Sequence, residues 1–536
     1  ELLIPANLLA EESVLNRAVE VLTTTVCQDV EVIGWLYQYY IADKKDEVFV
    51  GFKKNKKAGA DEIPAATQLF TPHWIVRYLV ENSLGRLWMR NRPDSRLVNQ
   101  MSYYIAAVDE ETDFLKIVTP EELTVIDPAC GSGHMLTYAF DLLYSIYEEE
   151  GYAPSEIPGL ILMNNLHGTE IDPRAGALAA FALTMKAVSK RKLFLKNPVG
   201  PNICVLNPIS FSPIDLDCLI TSDGDRLAEE AFWNQFVNAD TLGALIQSDP
   251  AVTALLARHL REIDDAGDMF RSEVIDRAKR VMDQAMYLNP RYSIAVANPP
   301  YMGAKNMSSI LASNVRDRYP AESQDLYGCF LARCNELVRD HGLVGLVIGD
   351  TWMTIKSFEA MREHLFSQSS FASFVHIRDI SNHPDVFGAN TAFVLERGLS
   401  PSMRSRFVRL EPLDADEKEA RLVQAVADPT VPWVTTIAPK DFEAIPGMPI
   451  AYLAPASVLR AFAMTGDGAG AVTLGKHVRI GQGITTGNNE RFLRFWWEVG
   501  IRRIQFGRRA VTEAQTARWV PCDKGGEFRK WFGNNR

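Results

Sequence analysis

Tyr292-Ser293-Ile294-Ala295-Val296-Ala297, running into Asn298-Pro299-Pro300-Tyr301, is the stretch on which the reading of this chain turns. The first six residues form a short apolar run with the length and β-branched content of a buried strand. Two consecutive prolines cannot donate to a sheet ladder, so the strand has to stop at Asn298. The chain is left in a stiff turn at the carboxyl end of a strand, the edge at which open α/β sheets hold their ligands. That turn displays an amide side chain, a proline carbonyl and an aromatic face. Amide and carbonyl oxygens can accept from an exocyclic amine while a ring stacks, so the turn suits a flat nitrogenous base. A plain strand-ending turn with a surface tyrosine would use the same residues.

Working outward, Leu123-Thr-Val-Ile-Asp127-Pro-Ala-Cys-Gly131-Ser-Gly133 predicts a strand, a glycine turn and then a helix. The glycines remove side chains where a ligand must approach the backbone, and the helix start offers free N–H groups. A dinucleotide site would want GxGxxG. Asp-Pro ahead of the glycines instead suits a ligand carrying both an amine and a carboxylate, as S-adenosylmethionine does. A second strand, Leu166-His-Gly-Thr-Glu170, leads through Ile171 and Asp172 into a helix, with Asp172 as its N-cap. An acid at the end of such a strand can accept from ribose hydroxyls. Asn202 to Asn207 reads as a third strand. Gln68-Leu-Phe-Thr71-Pro72 reads as a helix start, with Thr71 as N-cap and proline at the first helical position.

Further apolar runs at 342–348, 374–377 and 391–395 alternate with helical stretches. The chain is therefore expected to be α/β, with a doubly wound, mostly parallel Rossmann-like sheet. Residues 1–66 read as a helical region with a packing role, and 67–400 as the main domain. Within it, 213–290 reads as a charged helical insertion, a solvated bundle or arm without catalytic residues. Residues 401–470 read as an acidic, irregular spacer, and 471–536 as the start of a further module. Length alone, at 536 residues, calls for about three domains.

The net charge of −11 is unevenly placed: residues 476–536 hold 13 Lys and Arg against 5 Asp and Glu, which leaves about −19 on the rest. A basic end on an acidic body suggests a polyanion-binding module joined to an enzyme, and the interleaved Trp, Phe and Ile argue against a disordered tail. Arg491, Arg494, Lys524, Arg529 and Lys530 are its candidate phosphate contacts. The seven cysteines form no CxxC pair, which argues against a metal site and for a reducing cytoplasm. The longest apolar runs are far short of a membrane span. A start at Glu1 and an end at Arg536 without a closing element suggest a piece of something longer.

LFTP (69–72), DPACGSG (127–133), GTEID (168–172), NPPY (298–301) and DVFG (385–388), in that order, resemble the amino-methyltransferases of DNA in the gamma arrangement. There the cofactor half precedes the catalytic half and target recognition comes last. The opening, with KKDEVFVGFKK (44–54) and the run 63–88, is most similar to the PglX-like methyltransferase subunits of BREX phage-defence systems. GQGITTGNNERFLR (481–494) and 523–533 resemble the start of a target-recognition domain.

The resemblance implies an adenine-specific DNA methyltransferase using S-adenosylmethionine, with double-stranded DNA as partner and host self-marking as purpose. It also implies other defence subunits, or a phage-encoded inhibitor, as further partners. It places Thr71 at the methionine end of the cofactor and Asp127 at its amino group, with Ala129, Gly131 and Gly133 closing on it. Glu170 falls at the ribose, Ile171 against the adenine, Asn207 near adenine N6 and Phe330 beside the cofactor. Asn298, Pro299, Pro300 and Tyr301 fall on the catalytic loop, with Tyr301 and Phe387 stacking on a flipped-out target base. Two other readings share these residues: a methyltransferase acting on RNA or protein, and a DNA-binding specificity subunit inactive alone.

Overall fold

A computed structural model describes residues 13–21, 23, 31–67, 71–222, 224–263, 269–379, 389–411, 413–463, 478, 488–504 and 519–522. The chain divides into two units, Glu1–Met464 and Thr465–Arg536.

The first unit is built on one nine-stranded sheet: β1 Val125–Asp127, β2 Leu166–Glu170, β3 Asn202–Val205, β4 Tyr292–Ala297, β5 Val338–Gly349, β6 Ser369–Arg378, β7 Asn390–Arg397, β8 Ser405–Arg409 and β9 Val434–Ile437. The spatial order is β3-β2-β1-β4-β5-β7-β6-β8-β9. β1 to β5 run parallel, while β7 lies antiparallel between β5 and β6. The strands alternate between two layers of core. Val125, Ile294, Val296, Leu343 and Val347 pack with the helices His134–Glu149 and Pro173–Lys190. Ile126, Ala295, Ala297, Val344, Leu346 and Ile348 pack against Leu331, Cys334 and Leu337 of the helix Leu326–Leu337. A sheet buried on both faces is the condition for parallel strands to read as continuous apolar runs. The doubly wound expectation holds. Chain order reverses between β1 and β4, which opens a crevice at their carboxyl ends.

Three sequence expectations change. The helix expected from Thr71 begins at His73, with Pro72 before it and no side-chain cap. It lies close on the sheet, since a Cβ at Gly345 of β5 would sit 3.3 Å from the Leu79 carbonyl oxygen. The stretch after residue 400 is not irregular. β8 pairs in parallel with β6, β9 pairs antiparallel with β8, and a helix spans Ala415–Ala427. Phe407 supplies the reason, stacking 5.0 Å from Phe374 inside a cluster with Phe371, Phe442 and Tyr452. A five-residue strand flanked by arginines is too short for its periodicity to show. The insertion is helical as expected but is no solvated arm. Trp233 and Phe236 are fully buried, in a core shared with Leu206, Leu326, Cys329 and Phe330.

Among the described residues no helix is long and apolar enough to cross a membrane. In the second unit a short helix covers Asn489–Phe492, and the rings of Phe495 and Trp497 stack at 4.4 Å.

Candidate active site

At the crevice the local sequence builds its own walls. After β1 the chain turns through Gly131 (φ +53°) and Gly133 (φ +85°), left-handed conformations that favour glycine. Cys130 N–H donates to the Thr169 carbonyl (3.0 Å) and Thr169 Oγ1 to the Pro128 carbonyl (2.8 Å), locking this turn to β2. The helix His134–Glu149 starts at once after Gly133 and directs its N-terminus toward the crevice.

Two carboxyls sit at the ends of the central strands. Asp127 is 2 % exposed and accepts from Ala129 N–H at 3.1 Å. Burial, helped by the nearby Glu170, pushes its carboxyl up to about 8. Glu170 accepts from the N–H groups of Gly131 (2.8 Å), Ile171 (2.8 Å) and Asp172 (3.0 Å). Burial holds it above the ordinary carboxylate range against those three bonds. A carboxylate has about four acceptor positions, so three main-chain donors leave one. Asp172 caps the following helix through Arg174 N–H (2.9 Å), as its sequence context predicts, and it also accepts from the Tyr37 hydroxyl.

The tetrapeptide reaches the same pocket. Asn298 Nδ2 donates to Thr71 Oγ1 at 3.0 Å, across 227 residues of chain. That contact sets which way the amide lies, turning its oxygen to the other side. Tyr301 is half-buried and donates from its hydroxyl to the Val347 carbonyl at 2.9 Å; its ring lies 5.7 Å from that of Tyr327. The ring is therefore anchored at its tip.

One pocket is lined by Thr71, Asp127, Ala129, Gly131, Glu170, Ile171, Asn298, Pro300 and Phe330 together. Gly133, Asn207, Pro299 and Tyr301 do not line it. Gly133 serves the turn instead, and Leu206 takes the wall position beside Asn207, which is exposed and donates to the Val205 carbonyl at 3.0 Å. Phe387, Lys524, Arg529 and Lys530 lie outside the described residues. Arg491 is exposed, whereas Arg494 is half-buried and donates to the Leu493 carbonyl at 2.7 Å.

Sequence reasoning missed two walls. Gly34, Tyr37 and Gln38 come from the helix Glu31–Lys53, and Thr241 to Leu245 from the insertion. Gly243 presses against Ile171: its φ is +52°, and a Cβ there would sit 3.0 Å from Ile171 Cγ2. Neither 34–38 nor 241–245 falls within a motif. The buried aromatics around Trp233 were the one available sign that the insertion is core.

Residues 164–387 match the family of the Eco57I restriction-modification methylase. Over the whole chain the sequence is 35% identical to the adenine-specific methyltransferase BrxX of Escherichia coli O9:H4 (strain HS), covering 46% of that protein. It is 33% identical over 94% of the chain to the adenine-specific methyltransferase PglX of Lacticaseibacillus casei (strain Zhang), covering 43% of it. The chain thus spans about half the length of these relatives. Among solved structures, a nuclease-deletion mutant of the Type ISP restriction-modification enzyme LlaGI with a DNA substrate mimic aligns with 78% of the chain and 29% of its own, at 14% identity and a TM-score of 0.45. By its sequence, then, the chain is similar over nearly its whole length to the BrxX and PglX adenine-specific methyltransferases.

Proposed function

We propose that this chain is the cofactor-binding and catalytic portion of a site-specific DNA methyltransferase that modifies adenine N6, in a BREX-type defence setting. The observation that carries the reading is the meeting of Asn298 with Asp127 and Glu170 in one pocket, with the amide of Asn298 held by Thr71.

The pocket suits S-adenosylmethionine. A Cβ at Gly131 would meet nothing within 4 Å, so the glycine turn faces open space. The buried Asp127 carboxyl, pushed up to about 8, stands to gain from a positively charged amine. Asp127 would take that amine, the remaining acceptor position of Glu170 a ribose hydroxyl, and Ile171 and Phe330 the adenine. Bound there, the cofactor supplies a methyl group activated by a positive sulfur.

The protein's part is alignment and polarisation. The target amine is a weak nucleophile because its lone pair is shared with the purine ring. Asn298 Oδ1 and the Pro299 carbonyl accept its two protons and localise that lone pair. No strong base is required, because the amine proton becomes acidic as the new bond forms. The base must leave its duplex first, which costs a few kcal/mol. Stacking on Tyr301, and on Phe387 as the resemblance implies, returns about 1–3 kcal/mol per base. The basic end of the chain is the candidate for phosphate contacts.

The test is transfer of tritiated methyl to duplex DNA, with RNA and protein acceptors alongside. Asn298→Ala is expected to lower incorporation into DNA by about 100-fold or more while leaving cofactor affinity near normal. Loss of both in equal measure would mean that the strand end has collapsed and would remove Asn298 from the chemistry.

A further inference from the structure

The loop that follows the tetrapeptide is tied to a second element by one carboxylate. Met302 N–H, the first amide after Tyr301, donates to Asp325 Oδ1 at 3.0 Å. The same oxygen lies 3.4 Å from Tyr327 N, in the first turn of the helix Leu326–Leu337, which Asp325 caps. Main-chain bonds on either side continue the tie: Leu326 N–H to the Met302 carbonyl and Ala304 N–H to the Gln324 carbonyl, both at 3.0 Å. Gly303 and Asp325 form the bridge between them.

That helix is no bystander. Leu326 and Phe330, one turn apart, line the cofactor pocket, and Tyr327 packs against Tyr301. Pro299 and Pro300 have no N–H, so the tetrapeptide cannot hold itself in place by main-chain donation from those positions. Met302 N–H is therefore an early fixed point after the strand, and its partner is the Asp325 side chain, which also sets the start of the pocket wall.

We propose that Asp325 is a positioning residue for methyl transfer: it holds the loop bearing Asn298 and Tyr301 in register with the cofactor wall bearing Leu326 and Phe330. This rests on the function proposed above. Asp325 does not line the pocket; it acts through Met302. Misplacement of a reacting group by about 1 Å can cost on the order of 100-fold in rate.

Two variants of the full chain test it. In Asp325→Ala the Met302 amide loses its acceptor. In Asp325→Asn one acceptor oxygen remains, and asparagine caps helices as well as aspartate does. Hydrogen exchange of the peptide over 298–305, measured without any ligand, is expected to quicken in the alanine variant and stay near wild type in the asparagine variant. In the methylation assay the alanine variant is expected to lose about 10-fold or more in kcat, with cofactor KM little changed, and the asparagine variant to recover most of it. Unchanged exchange in the alanine variant overturns the tie. An asparagine variant as slow as the alanine variant, or cofactor affinity falling in step with kcat, overturns the positioning role. If wild-type protein methylates no acceptor while exchange still depends on Asp325, the catalytic role falls with the proposed function and the tie survives it.

Discussion

Replacing Gly131 and Gly133 by alanine, one at a time, separates what the glycine turn does for the fold from what it does for the pocket. Both residues have a left-handed backbone, with φ +53° and +85°. For an L-residue that conformation costs about 1–2 kcal/mol. At Gly131 the cost stops there, because a Cβ would meet nothing within 4 Å. At Gly133 a Cβ would lie 3.1 Å from both Cα and Cβ of Ala179, on the neighbouring helix Pro173–Lys190, where the contact includes main chain that cannot swing away. Overpacking of that kind adds about 1–3 kcal/mol. Gly133→Ala should therefore destabilise by about 2–5 kcal/mol and Gly131→Ala by about 1–2 kcal/mol. Urea unfolding followed by tryptophan fluorescence measures the difference, since Trp74 and Trp88 are buried near this layer. Binding should rank the two in the opposite order. The new methyl of Gly131→Ala enters open space at the wall of the pocket that Asp127 and Glu170 also line, so equilibrium dialysis should show S-adenosylmethionine bound about 10-fold or more weakly, a loss of about 1.4 kcal/mol. Equal destabilisation of the two variants, or full cofactor affinity in Gly131→Ala, would refute the placement of this turn against the cofactor.

Three other perturbations test other parts. Because the Asp127 carboxyl is raised to about 8 in the fold from an ordinary 3.8, its contribution to stability is full below pH 4 and is lost as pH rises through 8. Cofactor affinity should rise over pH 6 to 8 as that group ionises toward the ligand amine, and Asp127→Asn should flatten both profiles. Trp233→Ala should destabilise by about 3–5 kcal/mol and weaken cofactor binding through the 241–245 wall, where a solvated arm would tolerate the change. Tyr301→Phe gives up the hydroxyl bond to Val347, worth about 0.5–1.5 kcal/mol, and should keep stacking, whereas Tyr301→Ala should abolish the fluorescence rise of 2-aminopurine placed at the target position.

The residues by themselves determined those parts of this protein that follow from local sterics and periodicity. β4 ends at Ala297 because prolines follow, β2 runs from Leu166 to Glu170 and ends ahead of the helix that Asp172 caps, and the turn after Asp127 needs its glycines because the backbone there is left-handed. Asp127, Glu170 and Asn298 could be picked out because each stands at the tip of such a strand. Only the tertiary structure decided what faces them. Thr71, read as a helix cap, instead accepts from an amide 227 positions away. The helix Glu31–Lys53 and the insertion close the pocket through Tyr37 and Gly243, neither of which lies in a motif. β8 and β9 joined the sheet because Phe407 found the rings of Phe371 and Phe374 on β6. Short-range rules act over a few residues of one segment. Which segments become neighbours depends on the summed burial of surfaces far apart in the chain, and that sum has no local signature.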